Sequence, residues 1–447
     1  MRIGWTRQYL RGRARLQPCQ ERWRASAYLP ALRPASQADG QALAVGLAGH
    51  SFSRLFAVAA ALAFAALLFA PPAAAQRDPE VDVRARLFPE VTAGVAGLKS
   101  RTVGEGESPE ASGERLYYLL LPALRAPAAE SATILVFRAD GTRVTQIPAA
   151  AATPRGQSVA AAATAAELQA VPPAAPLVVY GHDFDVDAQG RVFVADRAAN
   201  AVRIFAPDGT PAGSISVVAP TSVATLAAGE VAVTSLRANK LVTVYVERAD
   251  PATGRMVWRP AREFGEPAEI ADPKESADLN RFLNIGRLAR DPDNSLYFAF
   301  AYAPEPTIRK YDAFGYKLYE AELATPDFLA SAQTARRNID RLGESRFTLG
   351  PIINPGYKPT VTAVAADPQT RELWVALGAQ LLHFDRDGNR RQTYRLFTKD
   401  GVRVEASALL VEPDRLIVAS DTQGVFEFPR PDKPAPTPPP ASKRSDN

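Results

Sequence analysis

Asp187-Ala-Gln-Gly190-Arg-Val-Phe-Val-Ala-Asp196 is a polar turn that runs straight into an apolar strand. Asn200-Ala-Val-Arg-Ile-Phe205 then adds a second strand, and Asp208-Gly209 a second turn. Gly after Asp supplies the positive φ that a tight hairpin needs, so the unit reads as a small antiparallel sheet. The pattern recurs. Phe137-Arg-Ala-Asp140-Gly141, Tyr311-Asp-Ala-Phe-Gly315 and Phe384-Asp-Arg-Asp387-Gly388 each close one apolar run and open another. A second turn series precedes the same strands at Asp291-Pro-Asp-Asn294, Asp367-Pro-Gln-Thr370 and Glu412-Pro-Asp414. The strands that follow are Leu296-Tyr-Phe-Ala299, Leu373-Trp-Val-Ala376 and Leu416-Ile-Val-Ala419.

A sheet of this size cannot bury both faces alone, so the copies must stack around an axis. A weaker copy at Gly229–Val246 and another beginning at Leu116 bring the count to six. The expected fold is therefore all-β, a six-bladed β-propeller over residues 76–430. Phe328–Leu342 reads as a helix inserted between blades four and five. The last copy lacks an outer strand, and a strand from residues 80–104 is expected to complete it and close the ring. Residues 149–176 read as a linker, and 431–447 as a disordered Pro-rich tail.

Val194-Ala195-Asp196-Arg-Ala-Ala-Asn200-Ala-Val202-Arg-Ile204-Phe205 resembles an NHL repeat, of the kind found in six-bladed, TolB-like propellers. That resemblance implies the fold, and little about activity. Such propellers bind proteins, RNA or small ligands, and relatives include lactonases and an amidating lyase. Function lives in sites grafted onto such folds.

The chain carries a formal charge of +4, but the excess sits in its first 75 residues. Residues 76–447 hold 43 basic and 46 acidic side chains, with no basic footprint for a nucleic acid. Within 51–75, Arg54 precedes an apolar run from Leu55 to Ala70, followed by Pro71-Pro72 and Ala73-Ala74-Ala75. This is the shape of a signal peptide cut after Ala75, giving a secreted or periplasmic protein without stable membrane insertion. A membrane anchor is the competing reading, and the proline pair and short run weigh against it. Residues 1–50 read as an over-extended start. Cys19 would then be absent from the mature chain, leaving no disulfide.

The densest chemistry is His182-Asp183-Phe-Asp185-Val-Asp187. As a calcium loop it offers alternating carboxylates, but the closing acidic ligand is replaced by Val194. A polar turn with a capped inner strand fits better, and no cofactor is expected. In a propeller the first strand of each blade starts at one mouth of the channel. The register places His182, Asp183, Thr221, Arg287 and Thr362 there as a ligand-binding group, in which Arg287 could hold a carboxylate. Ser407 is a further equivalent position. His383 reads as packed core, Asp196 and Asn200 as turn residues, and Tyr311–Tyr319 as an aromatic cluster whose outer face could meet a partner. The sequence points to a monomeric exported scaffold that binds a protein or a cell-envelope polymer. The alternative is a lactonase-like hydrolase or lyase at the channel mouth.

Overall fold

The computed structural model describes residues 78–104, 113–121, 132–149, 183–270, 277–302, 307–329, 333, 337 and 359–433, less a few single positions. Two short strands come first, β1 (Glu80–Asp82) and β2 (Ala85–Leu87). Six sheets follow. The first is β3 (Gly97–Thr102), β4 (Arg115–Leu121), β5 (Thr133–Arg138) and β6 (Arg143–Ile147). The second is β7 (Phe184–Val186), β8 (Val192–Asp196), β9 (Ala201–Phe205) and β10 (Pro211–Ser216). The third is β11 (Pro220–Thr225), β12 (Val231–Ser235), β13 (Val242–Ala249) and β14 (Met256–Phe264). After helix α1 (Ala277–Leu283) comes the fourth, β15 (Gly286–Arg290), β16 (Leu296–Phe300), β17 (Thr307–Tyr311) and β18 (Lys317–Glu322). The fifth is β19 (Ala363–Ala366), β20 (Leu373–Leu377), β21 (Gln380–Phe384) and β22 (Arg390–Phe397), and the sixth is β23 (Ala408–Val411), β24 (Arg415–Ser420) and β25 (Gly424–Pro429).

The first strands β3, β7, β11, β15, β19 and β23 adjoin one another in order, and β23 returns to β3. The chain is a closed six-bladed propeller. Second strands such as Val192-Phe-Val-Ala195 are apolar at every position because both faces are covered. Val192 and Val194 pack towards the first blade, whereas Phe193 and Ala195 pack towards the third. In the fifth blade Trp374 and Ala376 face the sixth, while Leu373 and Val375 face the fourth. Each fully buried side chain of this size contributes about 1.5–3 kcal/mol. Six such interfaces hold the ring.

The turns follow the sequence pattern. Gly141, Gly209, Gly315 and Gly388 all have φ between +86° and +96°, each at a hairpin between the third and fourth strands. In the second, fourth and fifth blades an aspartate directly after the first strand caps the next turn. Asp187 accepts the N–H groups of Gln189 and Arg191, Asp291 those of Asp293 and Ser295, and Asp367 those of Gln369 and Thr370. Asp291 is also paired with Lys310 at 3.1 Å and Asp367 with Arg430 at 2.8 Å.

The N-terminal segment has three roles where one was expected. Strand β2 pairs antiparallel with β25, with Arg86 opposite Phe426, and completes the sixth blade. Strand β1 pairs in parallel with β22, adding a fifth strand to the fifth blade. Strand β3 is the innermost strand of the first blade. Val83-Arg84 separates β1 from β2, and Pro89 and Gly94 lie in the turn that separates β2 from β3.

The continuous helix is α1, which was not expected; it lies between the third and fourth sheets and buries Leu279, Phe282 and Leu283. Of the helix expected at Phe328–Leu342, the described positions 328, 329, 333 and 337 are helical. Asn280 and Asn284 of α1 accept the Ile270 and Ala268 N–H groups, tying it to the loop after β14. Most of 328–342, the linker 149–176 beyond Ala149 and residues 434–447 lie outside the described residues. The start of the tail is held: Arg430 is buried, pairs with Asp367 and Asp432, and donates to the Glu412 carbonyl.

Candidate functional site at the channel mouth

Inner strands converge, so polar side chains near their starts come from different blades into one space. Asp183, just before β7, is buried and accepts a hydrogen bond from the Ser222 hydroxyl of β11. Ser222 Oγ in turn accepts the Leu288 N–H of β15 at 3.1 Å, so one hydroxyl ties three blades together. Two residues on, Asp185 accepts from Thr225 N (2.7 Å) and Thr225 Oγ1 (2.9 Å), and Lys99 Nζ of β3 lies 3.5 Å from it. Lys99, Asp183, Asp185 and Arg287 thus bring charge from the innermost strands of three blades.

Burial sets their electrostatics. Asp183 is pushed up to about 6 by loss of water, against the pull of Lys99, Ser222 and Arg287 and with a push from Asp185. Burial also lowers Arg287, which is opposed by Asp183 and Tyr302 nearby. Lys99 is raised: burial acts to lower it, and the attraction of Asp185 and Asp183 together outweighs that. Arg287 has no hydrogen-bond or ion-pair partner among the described residues. Gly286 beside it sits against the Phe298 ring, which any Cβ there would overlap.

The other expected residues divide. His182 lies outside the described residues. Thr221 shares a hydrogen bond with Thr234 inside its own blade (2.7 Å). It also lines a cavity of about 220 Å³, with Lys240, Asn280 and Arg281 among the other walls, between the third blade and α1. Thr362 donates to the Ala376 carbonyl and accepts the Gly378 N–H, both at 3.2 Å, and so holds its strand. Ser407 donates to the Val95 carbonyl across the seam between last and first blades. Lys99 and Ser222 were not anticipated. The signal for Lys99 was its place in an inner strand, hidden when 80–104 is read as one outer strand. Ser222 was one residue from the register position chosen.

Elsewhere the bland readings suffice. Asp196 accepts the Ala199 N–H, and Asn200, at φ +51°, accepts that of Ala219. His383 is buried, stacks on Trp374 at 4.1 Å and meets Glu372 at 3.1 Å. Glu372, His383 and Asp432 are close enough to share an ion, but Asp432 accepts from Nε and Nη2 of Arg430 and Glu372 also faces Arg391. Those cations already neutralise the oxygens. In the aromatic cluster Tyr311 is core, whereas Phe314 and Tyr316 are exposed on the outer hairpin.

No protein-family model and no curated protein matches this sequence. Among solved structures, a virginiamycin B lyase from Staphylococcus aureus is 11% identical with a TM-score of 0.39, covering 77% of this chain and 98% of that one. A gluconolactonase from Xanthomonas campestris is 15% identical with a TM-score of 0.38, covering 79% and 95%. BamB from Moraxella catarrhalis is 12% identical with a TM-score of 0.31, covering 71% and 68%. No activity is carried over from likenesses this distant. No helix among the described residues is long and apolar enough to cross a membrane.

Proposed function

We propose that this chain is exported after cleavage behind Ala75 and works in the periplasm or outside the cell as a binding scaffold. Its ligand, a protein or a cell-envelope polymer, is engaged at the channel mouth where the inner strands start. The observation that carries this reading is the charged group Lys99, Asp183, Asp185 and Arg287, drawn from the innermost strands of three blades. Charge withdrawn from water is costly, and a fold that needed only stability would do as well with apolar residues there. The near-neutral charge of 76–447 accords with a partner other than nucleic acid.

The test uses a photo-cross-linking aromatic residue in place of Tyr302, which lies beside Arg287, in cells that export the protein. The control replaces Tyr316, exposed on the outer hairpin. Adducts from position 302 are expected. Adducts from position 316 alone would place the partner on the outer rim and remove this reading.

A second reading is enzymatic. An acid pushed up to about 6, as Asp183 is, has the proton affinity suited to general acid–base work near neutral pH. It would require turnover of a small lactone or related substrate by the mature protein, abolished by Asp183→Asn. A panel of lactones that goes unhydrolysed removes it.

A further inference from the structure

The cavity between the third blade and α1 holds a hydrogen-bond donor that the protein itself does not use. Its volume is about 220 Å³, and Thr221 and Thr234 line it together. Thr221 is the extra residue of a bulge: Pro220 pairs with Ser235 and Ser222 with Thr234, which leaves Thr221 unopposed on β11. A bulge re-aims the side chain it carries. The two hydroxyls lie 2.7 Å apart, and both residues are 3% exposed. Two threonines bring two hydroxyl hydrogens, and the bond between them uses one. The other has no acceptor among the described residues. A buried donor in that state is costly unless something in the cavity accepts from it.

The rest of the lining selects the guest. Leu236, Leu241 and Ile285 supply an apolar wall. Lys240 and Arg281 line the cavity, and no carboxylate of the described residues does. Their acids lie outside it: Lys240 pairs with Glu266, whose side chain is 77% exposed, and Arg281 shares Asp278 with Arg237. Three cations against two acids leave one positive charge over at this rim. Exposed pairs of this kind are weak, so a ligand anion can compete for the cations. Asn280 and Asn284 direct their amide oxygens to Ile270 and Ala268, which fixes α1 as the far wall. At about 220 Å³ the space is smaller than the ~300 Å³ at which sites for drug-sized ligands begin, so the guest is small.

We propose that this cavity binds a small organic monoanion that also carries an uncharged acceptor oxygen. The anionic end meets Lys240 and Arg281, and the oxygen takes the spare hydrogen of the Thr221–Thr234 pair. None of Lys99, Asp183, Asp185 and Arg287 lines the cavity, so this site is additional to the charged group of the inner strands. Levulinate and its next two homologues are the probes, because each carries a carboxylate and a ketone oxygen. Valerate and its homologues lack the ketone, and the levulinamide series lacks the charge.

The experiment follows the Ile285 methyl resonance of the purified protein, labelled with ¹³C-methyl isoleucine, at constant ionic strength. The signal is assigned by its loss in Ile285→Val. It should move saturably with at least one keto acid. That acid should bind about fivefold more tightly than the alkanoate of equal length, as one added hydrogen bond would give. It should bind about threefold more tightly than its own amide. Thr221→Val/Thr234→Val removes both partners of the buried bond at nearly constant shape, a change close to neutral for folding. That variant should bind keto acid and alkanoate equally, whereas Lys240→Gln/Arg281→Gln should bind keto acid and amide equally. Silence of Ile285 towards the whole keto-acid series would mean that the cavity holds only water, and overturns the proposal. Equal affinity of the unaltered protein for keto acid and alkanoate, or a preference that survives in a folded Thr221→Val/Thr234→Val, overturns it too.

Discussion

The Ser222 hydroxyl donates to Asp183 while its oxygen accepts the Leu288 N–H, so the second, third and fourth blades meet at one side chain. The site is therefore part of the ring's own closure. Changes there must be judged for stability as well as for binding.

Asp183 should make stability fall as pH rises. Its folded value, about 6, lies above the ordinary 3.8, so the folded state binds the proton more tightly than the unfolded chain. The favourable contribution is complete below about pH 4 and lost as pH climbs through about 6. The gap corresponds to about 3 kcal/mol. Urea unfolding of the wild type and Asp183→Asn from pH 4 to 8 should show the variant gaining on the wild type by about 2–3 kcal/mol. Parallel profiles would mean that Asp183 stays ionised throughout.

Gly286→Ala should destabilise the fourth blade by about 1–3 kcal/mol, because the new methyl overlaps the Phe298 ring and the core must give way. Chemical denaturation midpoints measure this. An unchanged midpoint would show that the inner strand of that blade sits further from its second strand.

Ring closure depends on the N-terminal segment. Phe88 is 3% exposed and packs on Phe137 at 4.8 Å and Tyr117 at 5.7 Å. Phe88→Ala should cost about 3–5 kcal/mol. Deleting residues 76–90 should leave β25 as a bare edge and promote aggregation. Light scattering on heating reports it, and a truncated protein that melts like the full one would contradict the seam.

Arg430 is the C-terminal latch. Its side chain is 1% exposed and that of Asp367 is 0% exposed, so Arg430→Ala leaves a buried carboxylate without a counter-ion. The expected loss is about 3–5 kcal/mol by calorimetry. Truncation after Lys433 should leave melting unchanged, and equal losses from the two changes would place the anchor further along the tail.

Much of this architecture was readable because turns and second strands repeat. Asp-Gly pairs and continuous apolar runs such as Leu373-Trp-Val-Ala376 have one physical meaning each, a left-handed turn residue and a strand buried on both faces. First strands are less explicit. They are short, line a polar channel, and tolerate Lys99 or Asp185 where an apolar residue would mark a core strand, so β3 passed for an outer strand. The site was half visible for the same reason. Asp183 and Arg287 fall at equivalent register positions, whereas Thr221 and Thr362, equally well placed in sequence, turn their hydroxyls into their own blades. Register fixes where a residue stands along a strand, and only packing decides what its side chain meets.

The central claim is that the charges at the channel mouth recognise the ligand. Its most direct test compares photo-cross-linking from position 302 in the otherwise unaltered protein and in the Asp183→Asn/Arg287→Gln double variant, with melting temperatures measured alongside. The account predicts at least a tenfold fall in adduct yield, with the double variant still folded and melting within a few degrees. Undiminished yield from a folded double variant would show that these charges only solvate the channel.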